Sequence, residues 1–242
     1  MRAIAYNLTM ACLYAGTSGF AYPSWKPEFY PAKLPAAKFL QHYAERLNSV
    51  EINYTFRRLP SAGTLEKWVE ATKPGFLFAL KAHMRITHIE RLQRSEFTEL
   101  FFRAIDPLRV TGRLGPILFQ LPASFRCDEA RLAEFLGAIP SDLRYAMEFR
   151  HTSWLTSGVY DLLKRHGVSL CLAESDTLEI PEVITAGFVY SRLRKADYSV
   201  EDRAEIRDKT HRLLADGKDT FVYFKHEETP AGARYAEELL QS

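Results

Sequence analysis

The sequence predicts a single-domain α/β protein of the (β/α)8, TIM-barrel class. Three observations point there: eight short β-rich apolar runs, helix-periodic stretches between nearly all of them, and a length of 242 residues, inside the range of one such barrel. The runs are Leu13–Thr17, Ser49–Asn53, Phe76–Lys81, Pro116–Leu121, Arg144–Arg150, Ser169–Glu174, Gly187–Arg192 and Thr220–His226. Helical periodicity covers Ala36–Leu47, Ala62–Thr72, Glu96–Val110, Glu129–Gly137, Gly158–His166, Val200–Ala215 and Ala231–Leu240. Strand alternating with helix implies parallel strands joined by right-handed crossovers. Ser61 and Asp128 stand where helix N-caps belong. Gly167 and Gly217 stand where a helix ends in the left-handed conformation.

One unit is poor. Between the sixth and seventh runs, SDTLEIPEVIT has Pro181 in its middle and room for a turn or two, so an irregular short connection is expected there. That gap keeps a doubly wound open sheet as the alternative, although no G-x-G-x-x-G or phosphate-loop motif supports it. Residues 1–12 read as an N-terminal extension and 13–242 as the barrel domain.

Composition narrows the function classes. Apolar residues make up 47% and charged residues 26%, values of a globular chain rather than a disordered or fibrous one. Thirty-two Lys plus Arg against 30 Asp plus Glu leave +2, which gives no bulk electrostatic case for wrapping nucleic acid. Cys12, Cys127 and Cys171 are odd in number and far apart, so neither a disulfide framework nor a zinc site is expected. No apolar run approaches the roughly 18 residues of a membrane span, and the first dozen residues lack the core of a signal peptide. A cytoplasmic protein is the expectation.

In such a barrel the reactive groups lie at the C-terminal ends of the strands, and here those ends are unusually polar. Side-chain alternation decides which groups face the axis. In RYAMEFR the bulky Tyr145, Met147 and Phe149 belong against helices, which sends Glu148 and Arg150 to the mouth. The same logic turns Glu51 and Asn53 inward in SVEIN, Lys81 inward in FLFALK and Gln120 inward in PILFQL. Arg192 follows Phe188 and Tyr190 on one face. In SLCLAESD either Cys171, Ala173 and Ser175 or Leu170, Leu172 and Glu174 face in. Alternation does not choose between Lys225 and His226.

Burying an unpaired charge costs several kcal/mol, so four charged residues converging from three strands (Glu51, Lys81, Glu148, Arg150) read as a binding site. Lys81, Arg150, Arg192 and Lys225 outnumber the two glutamates and would concentrate an anion. Glu148 and Glu51 are the candidate acid and base, with His151 as proton relay. Lys81 and Arg150 would stabilise an anion or oxyanion, while Asn53 and Gln120 orient the substrate. The first loop, GTSGFAYPSWKPEFYP, is dense in rings; Tyr22 and Trp25 would either wall the pocket or pack the loop onto the rim. Glu51, Glu148, Glu174, Asp176 and His151 could be metal ligands, but no H-x-H or H-E-x-x-H spacing occurs and the neighbouring cations oppose a metal. Neither metal nor cofactor is expected.

The stretches YAGTSGFAYPSW at 14–25, VEINYTF at 50–56, FALKAHMRITH at 78–88, GPILFQLP at 115–122 and AMEFRHTSW at 146–154 resemble the YecE-like family, domain of unknown function 72. The resemblance runs over most of the chain and implies a TIM-type barrel; it implies no particular activity. One departure stands out: family members commonly end the last strand in a pair of asparagines, where this chain has Lys225 and His226. The functional expectation is therefore an enzyme using acid–base chemistry on a small anionic or sugar-like substrate at the barrel mouth, as hydrolase, lyase or isomerase. The alternatives are a non-catalytic ligand- or protein-binding barrel and, against the charge balance, a nucleic-acid-processing protein.

Overall fold

The computed structural model describes residues 10–225 and 227–242; residues 1–9 of the expected extension, and His226, lie outside the described residues. Eight strands alternate with helices: β1 (Leu13–Thr17), β2 (Ser49–Ile52), β3 (Leu77–Lys81), β4 (Leu114–Gln120), β5 (Tyr145–Glu148), β6 (Ser169–Ala173), β7 (Phe188–Leu193) and β8 (Asp219–Phe224). The helices are α1 (Phe39–Arg46), α2 (Ala62–Glu70), α3 (Glu96–Val110), α4 (Glu129–Ala138), α5 (Ser157–Arg165), α6 (Val200–Ala215) and α7 (Ala231–Gln241). Each strand lies within two residues of its sequence expectation. The connection from β6 to β7 holds no helix, as the proline-centred segment requires.

Local chemistry starts the helices. Ser61 accepts a hydrogen bond from the Thr64 amide at α2, Ser95 from Thr98 at α3, Asp128 from Arg131 at α4 and Thr156 from Val159 at α5. Ser199 and Asp202 form a reciprocal capping box at α6.

The strands run parallel in the order β1-β8-β7-β6-β5-β4-β3-β2, a nearly closed TIM-type barrel. A doubly wound sheet reverses its strand order at a switch point, and none is present. Alternation divides the strand side chains into two cores. Val50, Ile52, Phe78, Leu80, Ile117, Phe119, Met147 and Phe149 pack outward with Leu65, Phe101, Ile105, Leu132, Phe135 and Leu163 of the helices. Ala79, Leu118, Ala146, Cys171, Phe188, Tyr190, Phe221 and Tyr223 fill the interior. Small residues on β3, β5 and β6 thus face aromatic ones on β7 and β8, so large and small side chains together fill the tube.

The seam between β1 and β2 closes differently. Its backbone pairing is the single bridge of Ser18 to Glu51. Below it, Asn48 stands in for a strand neighbour, accepting from the Ala15 amide (3.0 Å) and donating to the Leu13 carbonyl (2.8 Å). From α1, the Tyr43 hydroxyl accepts from the Thr17 amide (2.8 Å) and donates to the Ser49 carbonyl (3.1 Å). Side chains thereby satisfy backbone groups that would otherwise be orphaned at the seam.

Candidate functional site

The strand ends bring Glu51, Gln120, Glu148 and Arg192 together in the top layer of the barrel, each nearly or completely buried. Arg192 lies between the two glutamates. Its Nη1 donates to Glu148 Oε2 at 2.5 Å and its Nη2 to Glu51 Oε1 at 2.7 Å. The Ser18 hydroxyl donates to Glu51 Oε1 and the Tyr190 hydroxyl to Oε2, both at 2.7 Å. Gln120 Nε2 and Arg150 Nε donate to Glu148 Oε1 at 2.8 and 3.0 Å. Arg194 Nη2 stands 4.0 Å from the same oxygen.

All four carboxylate oxygens therefore accept at least one hydrogen bond, and both side chains are locked. Burial raises the Glu148 pKa, but Arg192, Arg194, Arg150 and the Gln120 amide outweigh it and bring the group down to about 2. The expected role of Glu148 as general acid is corrected accordingly: it has no proton to give near neutral pH. Gln120 orients Glu148 rather than a substrate. Arg192, expected as a free cation for an anionic ligand, spends both terminal nitrogens on Glu51 and Glu148. Among the described residues no three His, Cys, Asp or Glu side chains gather as a metal site.

The depressed Glu148 pKa has a sign that can be measured. Between its ordinary value near 4.5 and about 2 the folded chain binds fewer protons than the unfolded one. Stability contributed by this group is complete above that window and lost as pH falls through it, by an amount of order 3 kcal/mol. Acid titration followed by tryptophan fluorescence should show this limb in the wild type and a flatter one in Glu148→Gln. Equal slopes would contradict the account.

Lys81 is different. It is half-buried at the end of β3, with Nζ 4.0 Å from the centroid of the Phe56 ring. Among the described residues Nζ has neither a hydrogen bond nor a carboxylate at ion-pair distance, yet it is not sealed from solvent. Burial is the main cause that lowers its pKa, Arg192 the next, and Glu51 and Glu148 only partly oppose them; the result is about 8. His88, edge-on to the same Phe56 ring at 5.0 Å, is also lowered, by burial and then by Lys81 and Arg150.

Around Glu51 and Glu148 the cations Lys81, Arg150, Arg192 and Arg194 are thus in local excess, with Glu174 the next carboxylate, accepting from the Arg194 amide. Arg194 went unremarked in the sequence, although it continues the inward alternation of Tyr190 and Arg192. Its Nε is buried without a partner among the described residues. Ser18 and Tyr190 were also missed as partners of Glu51; Tyr190's shared face with Arg192 was the available signal. A cleft of about 860 Å³ opens at this rim beside Glu148, Arg150, Ala173, Glu174, Arg194 and Lys225. It continues beneath the β6–β7 connection towards α6, where Asp176, Glu179, Glu182, Asp202 and Glu205 outnumber Lys195 and Lys209 and make its far end acidic. Lys81 lies outside that lining. Ala173 and Cys171 are the inward pair on β6. Lys225, exposed, continues the inward alternation of Phe221 and Tyr223 and stands 3.9 Å from Glu227.

The structure also places the first-loop rings, His151 and Asn53. Trp25 is completely buried, stacked on Tyr30 and edge-on to Phe29, so it anchors the first loop instead of walling a pocket. Tyr22, half-buried beside Trp25, donates its hydroxyl to the Ser18 carbonyl at 2.8 Å. His151 uses Nδ1 to accept from the Ser153 amide at 3.1 Å, capping the short turn Thr152–Trp154, and no contact joins it to either glutamate as a relay. Asn53 falls just past β2, half-buried, where it opens the turn Tyr54–Phe56 that carries Phe56 over Lys81.

Among the described residues, no helix is long and apolar enough to cross a membrane. Comparison with known proteins agrees with the barrel. The chain is 29% identical over 160 residues to UPF0759 protein YunF of Bacillus subtilis, a match covering 62% of this chain and 54% of that protein. It is 30% identical over 148 residues to UPF0759 protein YecE of Escherichia coli, covering 60% of this chain and 51% of that one. The chain therefore spans about half the length of these curated relatives. A crystal structure of a DUF72 family protein from Thermotoga maritima superposes with a TM-score of 0.84 at 26% identity, covering 96% of this chain and all of that one. Another, from Enterococcus faecalis, gives 0.75 at 20% identity, over 96% of this chain and 98% of that one, and speaks for the fold alone. The family model described as protein of unknown function DUF72 matches residues 14–242, and with nearly every element of the barrel inside that match, the chain belongs to the DUF72 family.

Proposed function

We propose that this protein is an enzyme that applies acid–base chemistry to a small anionic substrate, such as a carboxylate or a sugar phosphate, at the C-terminal mouth of the barrel. In this reading Lys81 is the group that changes protonation near neutral pH, and Arg150, Arg194 and Lys225 hold the anion. The reducing cytoplasm is its proposed place of action, consistent with three free cysteines.

The observation that carries the reading is the amine itself: among the described residues Lys81 has no counterion, in a mouth whose two buried carboxylates are already bound to arginine. A general acid or base works best with a pKa near the operating pH, which Lys81 approaches and Glu148 does not. Arginine's planar fork suits carboxylate and phosphate groups. One observation favours a ligand-binding barrel without turnover, namely that both carboxylates are fully engaged. The protein-docking version of that alternative loses its aromatic surface, because Trp25, Phe29 and Tyr30 are buried.

A thermal-shift screen over malonate, phosphate and sugar phosphates tests the proposal. A ligand at 100 times its Kd should add about 2.7 kcal/mol, which is about 5–10 °C in Tm for a chain of this size. Arg150→Gln combined with Arg194→Gln should weaken the best anion at least tenfold, since one hydrogen bond to a charged group contributes about 1.5–3 kcal/mol. Once a turnover assay exists, its rate should change through pH about 8 in the wild type and lose that limb in Lys81→Met. Absence of stabilisation by every anion would remove the reading.

A further inference from the structure

We propose that Lys81 is a carbonyl-capturing residue: its Nζ condenses with the aldehyde or ketone carbon of a small anionic substrate to form an imine. The inference rests on the anionic-substrate reading above and specifies what else that substrate carries.

The argument is geometric first. Lys81 ends β3 in register with the interior residues Leu77 and Ala79, so its stem emerges inside the tube and its nitrogen at the mouth. Nζ rests against the face of Phe56, which leaves it no hydrogen-bonding partner on that side. No carboxylate among the described residues reaches ion-pair distance, because Arg192 holds Glu51 and Glu148 away at 2.7 and 2.5 Å. A lysine that only stabilised the barrel would gain from a counterion, and one that only bound an anion would gain from staying charged, which desolvation beside Arg192 opposes. A lysine that must present a free amine gains from it, and desolvation beside another cation is how such amines are activated. The lowered pKa, caused by burial and by Arg192, agrees with that placement. The other charged groups acting on Lys81 are Glu51, Glu148 and Arg150, with His88 beside the shared Phe56 ring.

The chemistry closes without an added oxidant or reductant. The nitrogen lone pair attacks the carbonyl carbon, and the carbonyl π electrons pass to oxygen, which takes a proton to give a carbinolamine. Loss of the nitrogen proton and departure of hydroxide, protonated to water, leave the C=N bond. Protonation of the imine nitrogen makes the neighbouring carbon acidic, which is the electron sink that a lyase or isomerase needs. Arg150 and Arg194 would hold the carboxylate or phosphate of the same molecule.

Two probes separate the possible anions: glyoxylate for oxo-acids and dihydroxyacetone phosphate for carbonyl phosphates. Each is incubated with the whole protein and cyanoborohydride, which reduces the iminium to a stable secondary amine. Intact mass and peptide mapping should show one adduct, a carboxymethyl group with glyoxylate, on Lys81. Labelling there should be faster than at an ordinary surface lysine by roughly tenfold or more, because far more of the amine is free at neutral pH. Lys81→Arg should lose the adduct while keeping anion-dependent thermal stabilisation. If that variant does not fold, malonate or phosphate should still slow labelling of Lys81 in the wild type. Anion stabilisation with adducts spread evenly over surface lysines would overturn the imine and leave the anion reading intact. Selective labelling of Lys81 with no anion stabilisation would do the reverse.

Discussion

Arg192→Met should cost about 3–5 kcal/mol of folding stability, or prevent folding, because it leaves two carboxylates buried without their shared cation. Arg192 is 2% exposed, Glu51 0% and Glu148 2%, so water cannot replace the lost hydrogen bonds. Domains are typically stable by only about 5–15 kcal/mol, so the loss should move the urea midpoint far to the left at an unchanged slope. The companion experiment replaces the charged residues together with their buried hydrogen-bonding partners: Glu51→Leu, Glu148→Leu, Arg192→Met, Ser18→Ala, Gln120→Leu and Tyr190→Phe. Buried ion networks exchanged for apolar side chains are often neutral or better, so this variant should recover most of the stability while losing the shape of the proposed anion site. A loss below about 1 kcal/mol in Arg192→Met would mean the site is wetter than its geometry implies.

Gly16→Ala should be nearly as damaging, for a steric reason. A Cβ at Gly16 would lie 2.0 Å from the Ser49 carbonyl oxygen and 2.7 Å from the Tyr43 hydroxyl, so β1 and β2 must separate. Overpacking usually costs about 1–3 kcal/mol, and the obstacle here is backbone, which cannot rotate away. The same movement strains the hydrogen bonds of Tyr43 at the seam. The expected result is a Tm lower by about 2–12 °C, at 2–4 °C per kcal/mol. Gly63→Ala is the control. It lies in α2 with nothing within 4 Å of the added carbon, and should gain up to about 1 kcal/mol in helix propensity. Equal behaviour of the two variants would show that the seam does not depend on close approach.

These effects separate two jobs within one cluster. Glu51, Glu148 and Arg192 hold the top layer of the barrel rigid, with Ser18, Gln120 and Tyr190 completing their hydrogen bonds. Lys81 Nζ has no hydrogen bond or ion pair among the described residues, and the Nε of Arg194, like that of Arg192, is buried without a partner among them. A rigid polar platform beneath Lys81 would preorganise the anion recognition proposed above.

Much of this was legible in the sequence, because it depends on local periodicity. Strand side chains alternate with period two, so Met147 and Phe149 on one face of RYAMEFR oblige Glu148 and Arg150 onto the other. Helix starts at Ser61 and Asp128, the missing helix around Pro181 and the inward set Glu51, Lys81 and Gln120 follow from the same short-range rules. Alternation says nothing about which inward groups meet across the tube. That depends on the stagger of strands far apart in the chain, and it places Arg192 between glutamates 141 and 44 positions away. Only the tertiary structure therefore decided that Glu148 is a locked carboxylate and that Lys81 has no ion-pair partner among the described residues. Nor could ring-rich composition show that Trp25 is core, since burial of an aromatic residue is settled by what packs on it.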